Sequence, residues 1–324
     1  VYALDARSGK TLWQFANSGG VDLVSGGTVY VSSANDPSQT VGTLYALNAE
    51  SGQVRWQFQG PGSLSTQSVT DGQVYVLGLQ AVDPTDTNLT GFQATLSVLD
   101  ASSGAPRWSY PKQPNGNLSL VGVENGLVYL YATSSSAETP AADSLVALSI
   151  TDGSLIWGAS FSLQGFSAGS GTTTSAALIG NFPPALLSDG VIYVGGQNAP
   201  VTAIDARTGM SLWTNLQLEV DTGQGLTLDT VAMGVVYLTA IGNSASLGLY
   251  ALDAHTGKLL WKRLGQLLTV GAVVKGVVYA ASLDIGPPFT PRADDNSVVA
   301  LDASTGAVRW SYSLGNEMAS ILAQ

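Results

Sequence analysis

The chain contains no cysteine. Disulfides, thiolate nucleophiles and cysteine-ligated zinc are therefore excluded together. It contains a single histidine, His255. That excludes a histidine-rich metal centre. His255 also stands where equivalent segments carry Arg7, Glu50 and Arg207, a surface turn position that does not suit a Ser-His-Asp triad. Charge is scarce: 11% of the 324 residues are Asp, Glu, Lys or Arg, against roughly a quarter in ordinary soluble chains. No apolar run reaches the ~18 residues of a membrane-spanning helix, so direct membrane insertion is not expected. No signal-peptide pattern is present either.

Positive charge is the scarcer sign. Twelve Lys and Arg face 23 Asp and Glu, a net charge of −11. Such a chain repels phosphate backbones, which argues against nucleic acid. It also disfavours anionic lipid surfaces. Its natural opposites are cations and basic partners. Apolar residues make up 45%, enough for a sizeable core. The surface must then be built largely from Gly, Ser, Thr, Asn and Gln, which suits an extracytoplasmic setting: periplasmic, secreted or cell-surface.

What is abundant is repetition, the first thing to seek in a chain of this length. Residues 3–13 read ALDARSGKTLW and 46–56 read ALNAESGQVRW. The frame recurs at 98–108, 147–157, 203–213 and 251–261, and ends as ALDASTGAVRW at 300–310. It is A-x-D-x-x-T/S-G-x-x-x-W. All seven Trp residues of the chain fall in it, spaced by 43 to 56 residues. Between copies runs a second element, such as GGTVYV at 26–31, DGQVYV at 71–76 and NGLVYL at 125–130. A Gly-containing turn followed by β-branched and aromatic residues is a hairpin entering a strand.

Each repeat thus predicts four short strands, A to D. In the second repeat they fall near 20–25, 28–32, 43–48 and 53–58. Four antiparallel strands at this period indicate a propeller blade. The expected fold is all-β: a seven-bladed β-propeller, one domain over residues 1–324. The chain starts on a C strand and ends in MASILAQ, which reads as an A strand. Residues 318–324 would join residues 1–15 in one blade, so that pairing of the two terminal segments closes the fold. The B strand of that blade is expected upstream of residue 1, in a longer parent protein.

This pattern resembles the PQQ-like propeller family and its tryptophan-docking motif. The resemblance implies that Trp13, Trp56, Trp108, Trp157, Trp213, Trp261 and Trp310 are structural, each packing between neighbouring blades. The motif Asp is expected to cap the C–D turn. Asn48 and Ser149 replace it in two copies and can still make such a bond. The motif Gly supplies a turn residue with φ above zero.

The spacing also sorts the loops. A–B and C–D turns are tight, whereas the long insertions are B–C or D–A connections. These are 33–42, 80–93, 133–143 and 283–296, and the Gly/Ser/Thr-rich segment 162–182. All of them lie on one face, where function is normally grafted. That face carries Asp36, Asp83, Asp86, Glu138, Asp143, Glu219, Asp221, Asp284, Asp294 and Asp295, against Lys112 and Arg292. Such a field steers cationic ligands or basic proteins. Asp83 with Asp86, and Asp294 with Asp295, cluster the oxygens that hold Ca²⁺, although neither matches an EF-hand. No other cofactor is expected. Phe161, Phe166 and Phe182, with Asp284 and Arg292, are the candidate partner contacts.

Function follows from what the resemblance covers and what the residues lack. The family includes non-catalytic envelope scaffolds and extracytoplasmic sensor domains. With no cysteine, no phosphate loop and a turn histidine, the expectation is a non-enzymatic binding or scaffold propeller. Its B–C/D–A loop face would meet a protein or a small cation. One alternative is a PQQ- and Ca²⁺-dependent quinoprotein dehydrogenase. Those relatives are longer, and many carry a vicinal cysteine pair that this chain cannot supply. The others are an envelope-assembly lipoprotein and a structural surface protein.

Overall fold

A computed structural model describes residues 1–16, 19–33, 41–81, 92–111, 116–134, 143–161, 185–196, 199–218, 226–240, 247–283, 285–286, 290–291 and 296–315. Contacts gather into two compact units, Val1–Phe161 and Ser162–Gln324.

The first unit opens with the antiparallel pair β1 (Tyr2–Leu4) and β2 (Thr11–Gln14). Three four-stranded sheets follow, antiparallel and in chain order. They are β3 (Gly20–Ser25), β4 (Thr28–Ser33), β5 (Val41–Asn48) and β6 (Val54–Pro61); then β7 (Ser63–Thr70), β8 (Gln73–Ala81), β9 (Phe92–Asp100) and β10 (Pro106–Pro111); then β11 (Gly116–Glu124), β12 (Leu127–Ser134), β13 (Asp143–Ser149) and β14 (Leu155–Phe161). A single parallel bridge, Gly116 to Gln93, links the last two sheets.

The second unit repeats the plan three times. Its sheets are β15 (Ala185–Ser188), β16 (Val191–Gly196), β17 (Ala199–Asp205) and β18 (Ser211–Asn215); then β19 (Leu226–Ala232), β20 (Val235–Ala240), β21 (Gly248–Asp253) and β22 (Leu259–Leu264); then β23 (Leu267–Val274), β24 (Val277–Leu283), β27 (Asn296–Asp302) and β28 (Val308–Gly315). A small hairpin, β25 (Ile285–Gly286) with β26 (Thr290–Pro291), stands between β24 and β27. It corrects the expectation of a plain loop over 283–296. A helical turn at 216–218 is the other departure. Asn215 causes it: its Oδ1 accepts from Leu218 N at 2.9 Å, as an N-cap does.

These sequences form these sheets for a local and a long-range reason. Locally, the A–B turns place two successive residues at positive φ, for example Asn125 at 52° and Gly126 at 79°. That is the two-residue turn whose twist matches a hairpin. At long range, the second and third strands of each sheet are apolar on both faces. In β4, β20 and β21 all but one residue are buried, and in β5 five of eight are. The fourth strand is different: β6 and β22 bury only Trp56 and Trp261. The core therefore lies between neighbouring sheets. Tyr30, Leu44, Ala46 and Trp56 pack with Leu64, Val74, Val76 and Leu99 of the next sheet. Tyr237, Leu249, Ala251 and Trp261 do the same with Leu268, Val278, Val299 and Leu301.

In five sheets the first strand slips register by one residue. The extra residue of such a bulge is re-aimed out of the ladder. In β3 and β19 it is an aspartate, Asp22 and Asp229. The terminal segment 318–324, expected to close the fold, lies outside the described residues.

Candidate functional site

The repeat motif is spent on the fold. Trp13 Nε1 donates to Ala49 O at 2.9 Å, Trp56 Nε1 to Ala101 O at 3.0 Å and Trp108 Nε1 to Ile150 O at 3.0 Å. In the second unit Trp213 donates to Ala254 O at 3.0 Å and Trp261 to Ala303 O at 2.9 Å. Each acceptor follows the Asp position of the next repeat. Each of these rings also covers that repeat's motif glycine: Gly52, Gly104, Gly153, Gly257 and Gly306. Trp157 and Trp310 pack in tilted contact with the tyrosine of their own sheet, Tyr129 at 6.2 Å and Tyr279 at 6.1 Å between ring centroids.

The motif carboxylates are equally committed. Asp205 Oδ1 accepts from Thr208 N at 2.8 Å and its hydroxyl at 2.7 Å. Asp253 does so with Thr256. Asn48 and Ser149, which depart from the motif, accept equivalent backbone bonds from Ser51 and Thr151. Arg107 adds an ion pair to Asp100 at 2.6 Å, and Arg309 one to Asp302 at 2.7 Å. Hydrogen bonds from Arg107, Ser102 and Ser103 hold the Asp100 carboxyl well below the usual carboxylate range. Those from Ser304 and Arg309 do the same for Asp302. None of these groups is free to act as an acid or base near neutrality.

Two other carboxyls sit at the bulges. Asp22 Oδ1 accepts from Ser32 Oγ at 2.7 Å, and Oδ2 accepts from Thr66 N of the next sheet, also at 2.7 Å. Asp229 stands at the matching position of the second unit. Its Oδ2 is 2.7 Å from Thr239 Oγ1 and accepts from Val270 N of the next sheet at 2.9 Å. Its Oδ1 is shut off from solvent with no hydrogen-bond partner. Burial raises the Asp229 carboxyl to about 7, against the pull of Val270 N, of the Thr239 side chain and backbone, and of the Thr227 side chain. Neither aspartate belongs to the repeat motif. The available signal was an acid inside an apolar strand, GVDLVS and LTLDTVA.

Asp83, Asp86, Phe166, Phe182, Asp284, Arg292, Asp294 and Asp295 all lie outside the described residues. Phe161 ends β14, its backbone paired with Asp143. Among the described residues no three His, Asp or Glu side chains gather into a metal-binding group. His255 lies in the turn after Asp253, donating its backbone N–H to Asp253 Oδ1 at 3.1 Å.

The described surface has one other notable chemistry. Among the described residues the fourth strand ends each sheet, so β14, β18, β22 and β28 each have one side unpaired in the strand order. Those strands expose Leu155, Ile156, Leu212, Leu259, Leu260 and Tyr312. Open backbone edges bearing apolar side chains can accept an added strand.

Four-stranded meanders, docked on their neighbours within each unit by Trp–Gly contacts, define a β-propeller of PQQ-like repeats. A family model described as "Outer membrane protein assembly factor BamB" matches residues 1–165, 78–215 and 142–324, and the chain belongs to that family. The crystal structure of BamB from Moraxella catarrhalis superposes with a TM-score of 0.54 at 18% identity, covering 94% of this chain and 80% of that one. The outer membrane protein assembly factor BamB of Burkholderia pseudomallei is 30% identical over 133 residues, 41% of this chain and 30% of that protein. The polyvinylalcohol dehydrogenase of a Sphingopyxis species is 24% identical over 258 residues, 68% of this chain and 36% of that protein. The matched segments thus span about a third of each of these two relatives. Among the described residues no helix is long and apolar enough to cross a membrane.

Proposed function

We propose that this chain is a non-catalytic interaction propeller of the bacterial envelope, holding a protein partner during outer-membrane protein assembly. The observation that carries this reading is the match of the assembly-factor family model along the whole chain. The setting is extracytoplasmic. The partner surface is the acidic loop face, with Phe166, Phe182, Asp284 and Arg292. The exposed apolar outer strands offer a second surface, suited to an extended segment that adds by backbone pairing.

Photo-crosslinking residues at Phe166, Asp284, Ile156, Leu212 and Leu260 of the full-length protein in cells test it. Adducts to envelope proteins from either surface support the proposal, and their absence at all five positions overturns it. The similarity to a dehydrogenase favours a second reading, in which the loop face binds PQQ with Ca²⁺ and oxidises an alcohol. Dye-coupled alcohol oxidation after adding both discriminates the two. Turnover that is lost on replacing Asp294 and Asp295 would establish an enzyme.

A further inference from the structure

Asp22 and Asp229 occupy the same place in their sheets, yet their hydrogen bonds differ. Around Asp22 there are two donors for two oxygens: Ser32 Oγ to Oδ1 and Thr66 N to Oδ2. An ionised carboxylate satisfies both. Around Asp229 the count fails for an ionised group. Thr239 Oγ1 lies 2.7 Å from Asp229 Oδ2 and 2.7 Å from Leu268 O. A hydroxyl carries one hydrogen. With an ionised Asp229, one of these two contacts would pair two lone-pair oxygens with no hydrogen between them. A proton on Oδ2 removes the conflict: Asp229 donates to Thr239, and Thr239 donates to Leu268 O. Val270 N–H still reaches a lone pair of Oδ2. The buried, partnerless Oδ1 points the same way. It is a neutral carbonyl oxygen in the acid, but a desolvated share of the negative charge in the carboxylate.

We infer that Asp229 is a proton-operated latch between two neighbouring blades, closed as the neutral acid and loosened when the proton leaves to solvent. The chain Asp229–Thr239–Leu268, with Val270, ties β19 and β20 to β23. Deprotonation leaves Thr239 a single hydrogen for two acceptors and strands a charge between the sheets. Among the described residues, the strands packed most closely on β19 bring no second charge to the site. Those strands are β15, β16, β20 and β23, and none carries Asp, Glu, Lys, Arg or His. Their titratable groups are Tyr193 on β16 and Tyr237 on β20. Burial raises both, Tyr237 to about 12, so they stay neutral around Asp229's transition. Burial places the Asp229 transition at about 7, within reach of ordinary changes in an external medium.

The test uses the full chain. The ¹³Cγ resonance of Asp229 is followed from pH 4 to 9, with its assignment taken from loss of the signal in Asp229→Asn. Amide exchange at Val270 is compared with Thr66, the matching amide bonded to Asp22. A carboxyl midpoint near 7, with Val270 protection falling roughly tenfold relative to Thr66 between pH 5 and 8, is the expected result. Asn is neutral at every pH and cannot titrate. Asp229→Asn should therefore hold the Val270-to-Thr66 ratio constant with pH. A wild-type ¹³Cγ midpoint below about 5 would overturn the latch. So would a Val270 ratio that does not move between pH 5 and 8.

Discussion

A Cβ on Gly104 would sit 2.5 Å from Cε3 of Trp56, while a Cβ on Gly72 would meet nothing within 4 Å. Both residues have the same backbone, φ of 71° and 70°. The pair therefore separates left-handed strain from lost docking space. Gly72→Ala carries the strain alone, about 1–2 kcal/mol. Gly104→Ala adds displacement of an indole that holds two sheets together, and should cost roughly 2–4 kcal/mol in total. Urea unfolding of both variants measures the difference. Equal losses would show that the indole moves aside freely. The Asp of the motif was legible because its geometry is local, Asp205 reaching only to Thr208; the Trp and Gly, which meet across repeats, were legible because the frame recurs seven times. Asp229 was not legible as more than an acid in an apolar strand. Its roles are set by Val270, 41 residues away, and by a one-residue register slip. No short frame records either.

At the scale of elements, the A–B hairpins share a glycine at the second turn position and vary at the first. Asp71, Asn125, Asp189, Met233 and Lys275 all hold φ near 50°, each followed by a glycine. Asn and Asp tolerate that conformation; Met and Lys do so at a cost. Met233 is 68% exposed and has no packing to lose. Met233→Asn should stabilise the chain by about 0.5–1 kcal/mol, and Asn125→Met should destabilise it similarly, both read by chemical denaturation. The strands these turns join were legible as well. The expected second repeat, 20–25, 28–32, 43–48 and 53–58, meets Gly20–Ser25, Thr28–Ser33, Val41–Asn48 and Val54–Pro61. The β25–β26 hairpin was not, since two-residue strands around Gly286 and Pro291 leave no alternating pattern. The candidate partner residues are set apart from the repeat for the same reason: insertions escape the constraint that makes the motif recognisable.

For the whole molecule, the two kinds of aspartate make opposite contributions to stability. Asp5, Asp100, Asp205, Asp253 and Asp302 are lowered by hydrogen bonds in their turns, chiefly from Ser8, Arg107, Thr208, Thr256 and Ser304 in that order. Their stabilisation is present above the unfolded carboxyl value of about 3.9 and is lost as pH falls through the lower folded values. Asp229 is raised to about 7 by burial. Its contribution is complete below about 3.9 and is lost as pH rises through 7, because the unfolded chain releases that proton first. A net charge of −11 at neutral pH adds self-repulsion that weakens as acid is added. The three effects place the stability maximum in mildly acidic solution, about pH 4–5, below the range common for globular proteins. Unfolding free energy measured from pH 2 to 9 should rise, peak there and decline to a plateau above 7. Asp229→Asn should flatten most of the decline and leave the acid side unchanged. Asp100→Asn with Asp302→Asn should reduce the slope of the acid side and leave the neutral limb unchanged. A wild-type maximum at pH 7 or higher would mean that the buried carboxyl does not govern the neutral limb.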